Sequence, residues 1–226
     1  MSYKQLSPVA VFHSPLTSKF GVPRQSGLCP TLEGQVVFEQ PFRKAEAVKG
    51  LDDFSHLWLL WGFSANKVES DGCTVRPPRL GGNRRIGVFA SRSPFRPNGL
   101  GLSCVQLCKV ELHATLGPVL HVLGADLMDG TPIYDVKPYV PYADCHPEAR
   151  GGFTDKTDWQ TLEVEIPQEA ASHFSPSQLQ ALEDCLRQDP RPQYHDDPQR
   201  IYGMPFAGRD VRFRVEAGRC LVVEVV

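Results

Sequence analysis

Between Asp71 and Glu111 the sequence contains no aspartate or glutamate at all. Residues 72–110 nevertheless carry seven lysines and arginines, which leaves 17 basic against 26 acidic residues for the rest of the chain. The formal net charge of −2 therefore conceals a stretch of +7 inside a body of −9. An uncompensated positive field of this kind suits a polyanionic partner. Long apolar runs are also missing: none approaches the roughly 18 residues that cross a bilayer as a helix. The opening MSYKQLSPVAVFHS has no apolar core of a secretory signal, so a cytoplasmic protein is expected. The seven cysteines, Cys29, Cys73, Cys104, Cys108, Cys145, Cys185 and Cys220, are odd in number and scattered, with no CxxC pair. Metal-ligand spacing is absent, so no metal is expected and the thiols are read as reduced and buried. Cys145 and His146 are neighbours on an extended chain and point to opposite sides, which argues against a nucleophile and its base. The glycine-rich dinucleotide fingerprint, the P-loop, HExxH, GxSxG and the kinase signatures are all absent. Their absence argues against a Rossmann nucleotide site, an NTPase, a zinc protease, a serine hydrolase and a kinase. Internal repeats and low-complexity tracts are missing too.

What is present is a chain of 226 residues, 41 % hydrophobic and 22 % charged, with room for one ordinary domain and a small second one. Six arginines, Arg76, Arg79, Arg84, Arg85, Arg92 and Arg96, are interleaved with Pro77, Pro78, Pro94 and Pro97 and with Gly81, Gly82, Gly99 and Gly101. Proline forbids a helix through them and glycine permits tight turns, so the guanidinia sit on loops. Residues 86–90 and 101–107 are short apolar runs read as buried strands, and residues 57–61, Leu-Trp-Leu-Leu-Trp, as a strand with neither face wet. Strands are also expected at residues 9–12, 36–38 and 119–122. Residues 133–144 should run extended because each residue before a proline avoids the helical region.

Farther on, Leu162, Val164 and Ile166 alternate with glutamates as in a half-buried strand. Ser175-Pro176-Ser177-Gln178 has the form of a capping box, opening an amphipathic helix through Leu179, Leu182 and Leu186. Val211, Phe213 and Val215, a turn at residues 216–219 and a returning run form a β-hairpin. The architecture is mostly β, with a small α+β appendage. Among polar residues, Arg24 and Gln25 follow a proline in a turn-rich loop, and His56 opens a strand. Asp126, Asp129, Asp135 and Asp144 lie close in sequence to three tyrosines and Lys137. Taken singly, each has an ordinary reading as a loop polar, a core histidine or a turn former.

Taken together, the segments Phe20-Gly21-Val22-Pro23-Arg24-Gln25, Gly50-Leu51 with Phe54-Ser55-His56-Leu57-Trp58, and Val75-Arg76-Pro77-Pro78-Arg79 with Gly81-Gly82 closely resemble the TrmO (TsaA-like) family. So do Gly87-Val88-Phe89-Ala90, Ser91-Arg92-Ser93-Pro94-Phe95-Arg96-Pro97-Asn98, and Asp129-Gly130-Thr131-Pro132 with Lys137-Pro138-Tyr139. Asp189-Pro190-Arg191-Pro192 and Tyr202-Gly203 with Phe206 resemble that family's bacterial C-terminal domain. The resemblance implies an S-adenosylmethionine-dependent methyltransferase acting on N6 of threonylcarbamoyladenosine at position 37 of tRNA. It implies an antiparallel β-barrel over residues 1–150 that carries the cofactor and dimerises, and a small α+β C-terminal domain over residues 151–226 able to contact tRNA. Cofactor contacts carried over are Pro23, Arg24, Gln25, Arg92, Leu102, Gly124, Ala125, Asp126 and Leu127. Ser64 and Ala65 stand at a family contact position without matching in side chain.

A site for this cofactor needs a guanidinium for its carboxylate, an apolar wall for adenine and backbone groups for the base edge. Arg24 and Arg92 both qualify as the guanidinium. Arg76, Arg79, Arg84, Arg85, Arg96 and Arg191 are then read as facing tRNA phosphate, and Phe95, Tyr139 and Tyr194 as stacking on anticodon-loop bases. Asp135 or Tyr142 is nominated to help remove the acceptor proton, with Lys137 as an orienting charge. Two competing readings are a non-enzymatic RNA-binding or cofactor-sensing module, and a methyltransferase for another RNA.

Overall fold

The computed structural model describes residues 5–65, 72–80, 84–157, 160–192 and 197–226. Tyr194 and the side chain of Arg79 lie outside the described residues. In chain order the first strands are β1 (Ala10–His13), β2 (Glu33–Phe38), β3 (His56–Gly62), β4 (Thr74–Val75) and β5 (Ile86–Gly87). They are followed by β6 (Leu100–His113), β7 (Gly117–Leu123) and β8 (Thr131–Pro138), and then by the single-turn helix α1 (Pro141–Asp144). The remainder comprises β9 (Glu163–Glu165), the short helix α2 (Gln168–Ala171), α3 (Pro176–Arg187), β10 (Tyr202–Phe206), β11 (Arg209–Glu216) and β12 (Arg219–Val225).

Six strands close a barrel in the order β1-β2-β7-β6-β3-β8, with β8 returning to pair β1. Every pairing around it is antiparallel. Alternate residues fill the interior: Phe12, Val36, Leu57, Leu59, Val105, Leu120, Val122 and Ile133 are buried. So small a barrel has room inside only for side chains. Gly34 lacks a Cβ where one would meet the Phe12 ring at 2.2 Å, which lets that ring cross the interior.

A second sheet, β10-β11-β12-β9, has β9 parallel to β12. Helix α3 supplies Leu182, Cys185 and Leu186 to a core with Met204, Phe206, Phe213 and Val222. Its start is as the sequence reads: Ser175 Oγ accepts the Gln178 amide and Gln178 Oε1 accepts the Ser175 amide. The connection between β1 and β2 joins this core through Leu16, Cys29 and Leu32. It is fastened there by Ala207 N–H donating to the Pro15 carbonyl at 2.8 Å and by the Thr31 hydroxyl donating to Asp184 at 2.6 Å. The Phe20 ring stacks on Tyr202 and Phe213, with centroids 6.3 and 6.2 Å away.

Several expectations are corrected. Strand β3 buries Leu57, Leu59 and Trp61 but leaves Trp58 and Leu60 half-buried on the outside, so only one face is dry. Residues 86–90 are not a buried strand: β5 ends at Gly87 and residues 88–90 curl into a 3-10 turn, with Val88 buried and Phe89 79 % exposed. Residues 133–144 do not stay extended, because Pro141 starts a helical turn whose Asp144 carboxylate accepts the Val140 amide at 2.7 Å. Of the cysteines, Cys73, Cys108 and Cys145 are exposed, whereas Cys29, Cys185 and Cys220 are buried.

Candidate functional site

Four chain segments, two of them contiguous, meet at one rim of the barrel. The first is the β1–β2 connection around residues 24–27, and the second the arginine loop after residue 90. The third is the start of β6, and the fourth the turn between β7 and β8. Backbone bonds lock the first to the fourth: Gly27 N–H donates to the Gly124 carbonyl at 2.8 Å, and Gly124 N–H to the Leu32 carbonyl at 3.0 Å. Gly124 holds φ of +77°, a conformation in which a side chain is strained.

A polar chain runs from the barrel interior to this rim. The Trp61 indole N–H donates to Ser103 Oγ at 2.9 Å, and the Ser103 hydroxyl donates to the Asp126 carboxylate. Loss of water around Asp126 raises its pKa above the ordinary carboxylate value. The Ser103 hydroxyl, its own amide, the Arg92 charge and the Ser26 amide oppose that rise. Arg92 in turn donates to Gln25 Oε1 at 2.6 Å. Leu102, the neighbour of Ser103 on β6, points outward and is 54 % exposed. A guanidinium, a carboxylate, an amide and an apolar wall are thus gathered with the main chain of residues 124–127.

Sequence reasoning brings Gln25, Arg92, Gly124 and Asp126 to this place. Ala125 and Leu127 are buried beneath it and Pro23 is buried beside it. Arg24 turns the other way and donates from Nη2 to the Asp189 carbonyl at 3.1 Å. Ser64 and Ala65 follow β3, where Phe63 N–H is bound to the Gly99 carbonyl at 2.9 Å.

Asp135 and Lys137 lie on the outer face of β8 and form an ion pair of 3.0 Å. The register between β3 and β8 shifts at Leu60/Trp61. Because Ile133 and Val136 both face the barrel core, this bulge puts Tyr134 and Asp135 together on the outer side. Asp135 pairs with Leu60, and Leu60 with Leu102. Two strand spacings, about 10 Å, therefore separate the backbone of Asp135 from that of Leu102. Tyr142, on α1, is 93 % exposed. Tyr139 packs beside Trp58 with ring centroids 5.8 Å apart.

Among the basic residues, Arg76, Arg84 and Arg85 are exposed, and Arg85 donates to Thr74 Oγ1 at 3.2 Å. Arg96 donates to the Ser91 carbonyl at 2.9 Å, which stiffens the loop that displays Phe95. Arg191 is engaged with Asp189 through Nε at 2.8 Å and Nη2 at 2.9 Å, and its side chain is only 16 % exposed. The sequence did not single out Ser103 or Ser26. Ser103 carries one detectable signal, a hydroxyl on the inward parity of an apolar strand.

The chain matches the tRNA-methyltransferase O N-terminal domain over residues 11–145 and the TrmO C-terminal domain over residues 159–226. It belongs to the tRNA-methyltransferase O family. A tRNA (adenine(37)-N6)-methyltransferase of Escherichia coli is 38 % identical over 223 residues, covering 95 % of this chain and 94 % of that protein. One of the same description from Eikenella corrodens is 44 % identical, covering 76 % and 97 %. The crystal structure of TrmO from Pseudomonas aeruginosa superimposes with a TM-score of 0.80 at 33 % identity, covering 100 % of this chain and 99 % of that one. The barrel with its α+β unit is thus the architecture of the family. Among the described residues no helix is long and apolar enough to cross a membrane, and no cluster of ligating side chains suits a metal ion.

Proposed function

We propose that this protein moves a methyl group from S-adenosylmethionine to N6 of threonylcarbamoyladenosine at position 37 of cytoplasmic tRNA. The observation that carries this reading is the convergence of Gln25, Arg92, Leu102 and the turn at residues 124–127 on one rim. The donor set fits the cofactor. Arg92 is exposed, and a planar guanidinium keeps several N–H donors for a carboxylate after Gln25 has taken one. Leu102 offers an apolar wall, and the backbone of residues 124–127 presents polar groups to a base edge. Pro23, Arg24, Ser64 and Ala65 complete the set through their main chain. When bound, the cofactor supplies an electrophilic methyl on a good leaving group.

The residues have mainly to align and desolvate the acceptor nitrogen, with the reacting atoms about 3 to 3.5 Å apart. Asp135 sits in the same outer row as Leu102, and Lys137 holds its carboxylate from one side. In this arrangement Asp135 takes the N6 proton as the methyl arrives, and Tyr142, on the adjoining turn, lines the approach. Arg76, Arg84, Arg85 and Arg96 meet phosphate, while Phe95 and Tyr139 offer faces to splayed anticodon-loop bases. Residues 1–150 carry the chemistry. A homodimer is supported by the outer face of β3 and β6, where Trp58, Leu60 and Leu102 are left partly uncovered. The test is transfer of labelled methyl to purified tRNA with and without the threonylcarbamoyl group. Product on the modified tRNA alone is expected. Equal product on both would transfer the reading to another adenine-37 substrate. Asp135→Asn should slow single-turnover transfer about 100-fold with cofactor affinity retained.

A further inference from the structure

The segment proposed to hold the cofactor is braced from the opposite side by the C-terminal unit. Gly21, two residues before Pro23, has φ of +97°, and a Cβ there would meet Met204 Sδ at 2.4 Å, so the backbone lies directly on β10. Phe20 stacks against Tyr202 and Phe213 of the same sheet. Arg24 then reaches the loop after α3 and donates to the Asp189 carbonyl at 3.1 Å.

That carbonyl is held in an unusual way. Asp189 has φ of +48°, uncommon for a residue with a side chain. Its carboxylate is gripped in fork geometry by Arg191 at 2.8 and 2.9 Å and also accepts the Arg191 amide at 3.3 Å. Pro190 and Pro192 restrict the loop further. The arrangement reads outward in one direction: Arg191 fixes Asp189, Asp189 fixes Arg24, and the next residue, Gln25, fixes Arg92 at 2.6 Å.

We propose that Arg24 is a positioning residue rather than a ligand of the cofactor carboxylate. With Asp189 and Arg191 it forms a strut by which the C-terminal unit sets the cofactor loop and, through Gln25, the Arg92 guanidinium. This rests on the assignment of residues 23–25 and Arg92 to the cofactor made above.

The experiment is a double-mutant cycle on the full chain, titrated calorimetrically with S-adenosylmethionine, alongside methyl transfer at saturating cofactor. Arg24→Met should weaken cofactor binding about tenfold and raise KM for it similarly, while kcat changes less than about threefold. Arg24→Lys keeps one donor for one carbonyl and should stay within about threefold of the parent. Arg191→Met, in the other unit, should weaken binding about fivefold. The Arg24→Met/Arg191→Met pair should lose no more than Arg24→Met alone, because both act through one loop.

Multiplicative losses of about fiftyfold, or unchanged affinity in Arg191→Met, overturn the strut. Equal damage from Arg24→Lys and Arg24→Met also overturns it, as a bidentate grip on a carboxylate would then be indicated. If Arg24→Met does not fold, the comparison of Arg24→Lys with Arg191→Met decides by the same criteria. A parent protein that binds no S-adenosylmethionine overturns both the strut and the proposed function. Binding by the parent together with failure of the cycle overturns the strut alone.

Discussion

Gly101 shows how one missing side chain orders the interior end of the site. A Cβ on it would lie 2.3 Å from Trp61 Cε2, so the indole occupies the space an alanine would need. That placement lets Nε1 reach Ser103, which in turn reaches Asp126. Gly101→Ala should therefore cost about 1–3 kcal/mol through forced repacking, read as a lower urea midpoint with altered tryptophan fluorescence. An unchanged midpoint would show that the ring has room to move. Asp126 itself yields a prediction with a definite sign. Its carboxyl binds a proton more tightly folded than unfolded, because burial raises its pKa above the ordinary 3.8. The stability it contributes is present below that ordinary value and is lost as pH rises through the raised one. Asp126→Asn removes this dependence, so the melting temperature of the variant relative to the parent should climb as pH rises above the ordinary 3.8. A difference independent of pH would contradict the assignment of burial as the dominant cause.

At the scale of elements, α3 is legible because its start is local chemistry. Ser175→Ala removes the acceptor for the Gln178 amide and should cost about 1 kcal/mol, measured by thermal unfolding. A loss within error would mean that packing of Leu182, Cys185 and Leu186 alone sets the helix. The same locality explains the β11–β12 hairpin, whose Ala217 and Gly218 adopt φ of +47° and +78° as a tight turn requires. Strand β10 was missed for an equally physical reason: Pro205 reads as an interruption, yet β10 is the edge of its sheet, where proline is tolerated. The fate of residues 86–90 was not legible, since Val88 N–H is taken by the Cys73 carbonyl, a partner sequence periodicity does not reveal. The apolar run of β3 was misread on one face because half-buried tryptophan and leucine look the same in sequence as buried ones. In the candidate site, residue types gave two eligible arginines. Their long-range partners, Gln25 for Arg92 and the Asp189 carbonyl for Arg24, differ in a way that residue types alone do not reveal.

Across the whole molecule the charge asymmetry becomes a surface. The acid-free stretch runs from β4 through the loop after residue 90 into β6, and among its described residues Arg76, Arg84, Arg85 and Arg92 are exposed. Much of the cationic charge elsewhere is matched locally, as in Arg212 with Glu224 at 2.7 Å and Arg219 with Glu163 at 3.0 Å. A polyanion approaching this surface is drawn to the rim and repelled by the acidic body, so the field orients it before contact. If Arg84 and Arg85 each meet one phosphate, changing both to alanine should reduce the salt slope of tRNA binding. The plot of log affinity against log salt concentration should flatten by roughly 0.7 to 0.9 per arginine, and affinity at low salt should fall. Filter binding or fluorescence anisotropy across a salt series measures it. A slope equal to that of the parent protein would place the RNA path on another surface.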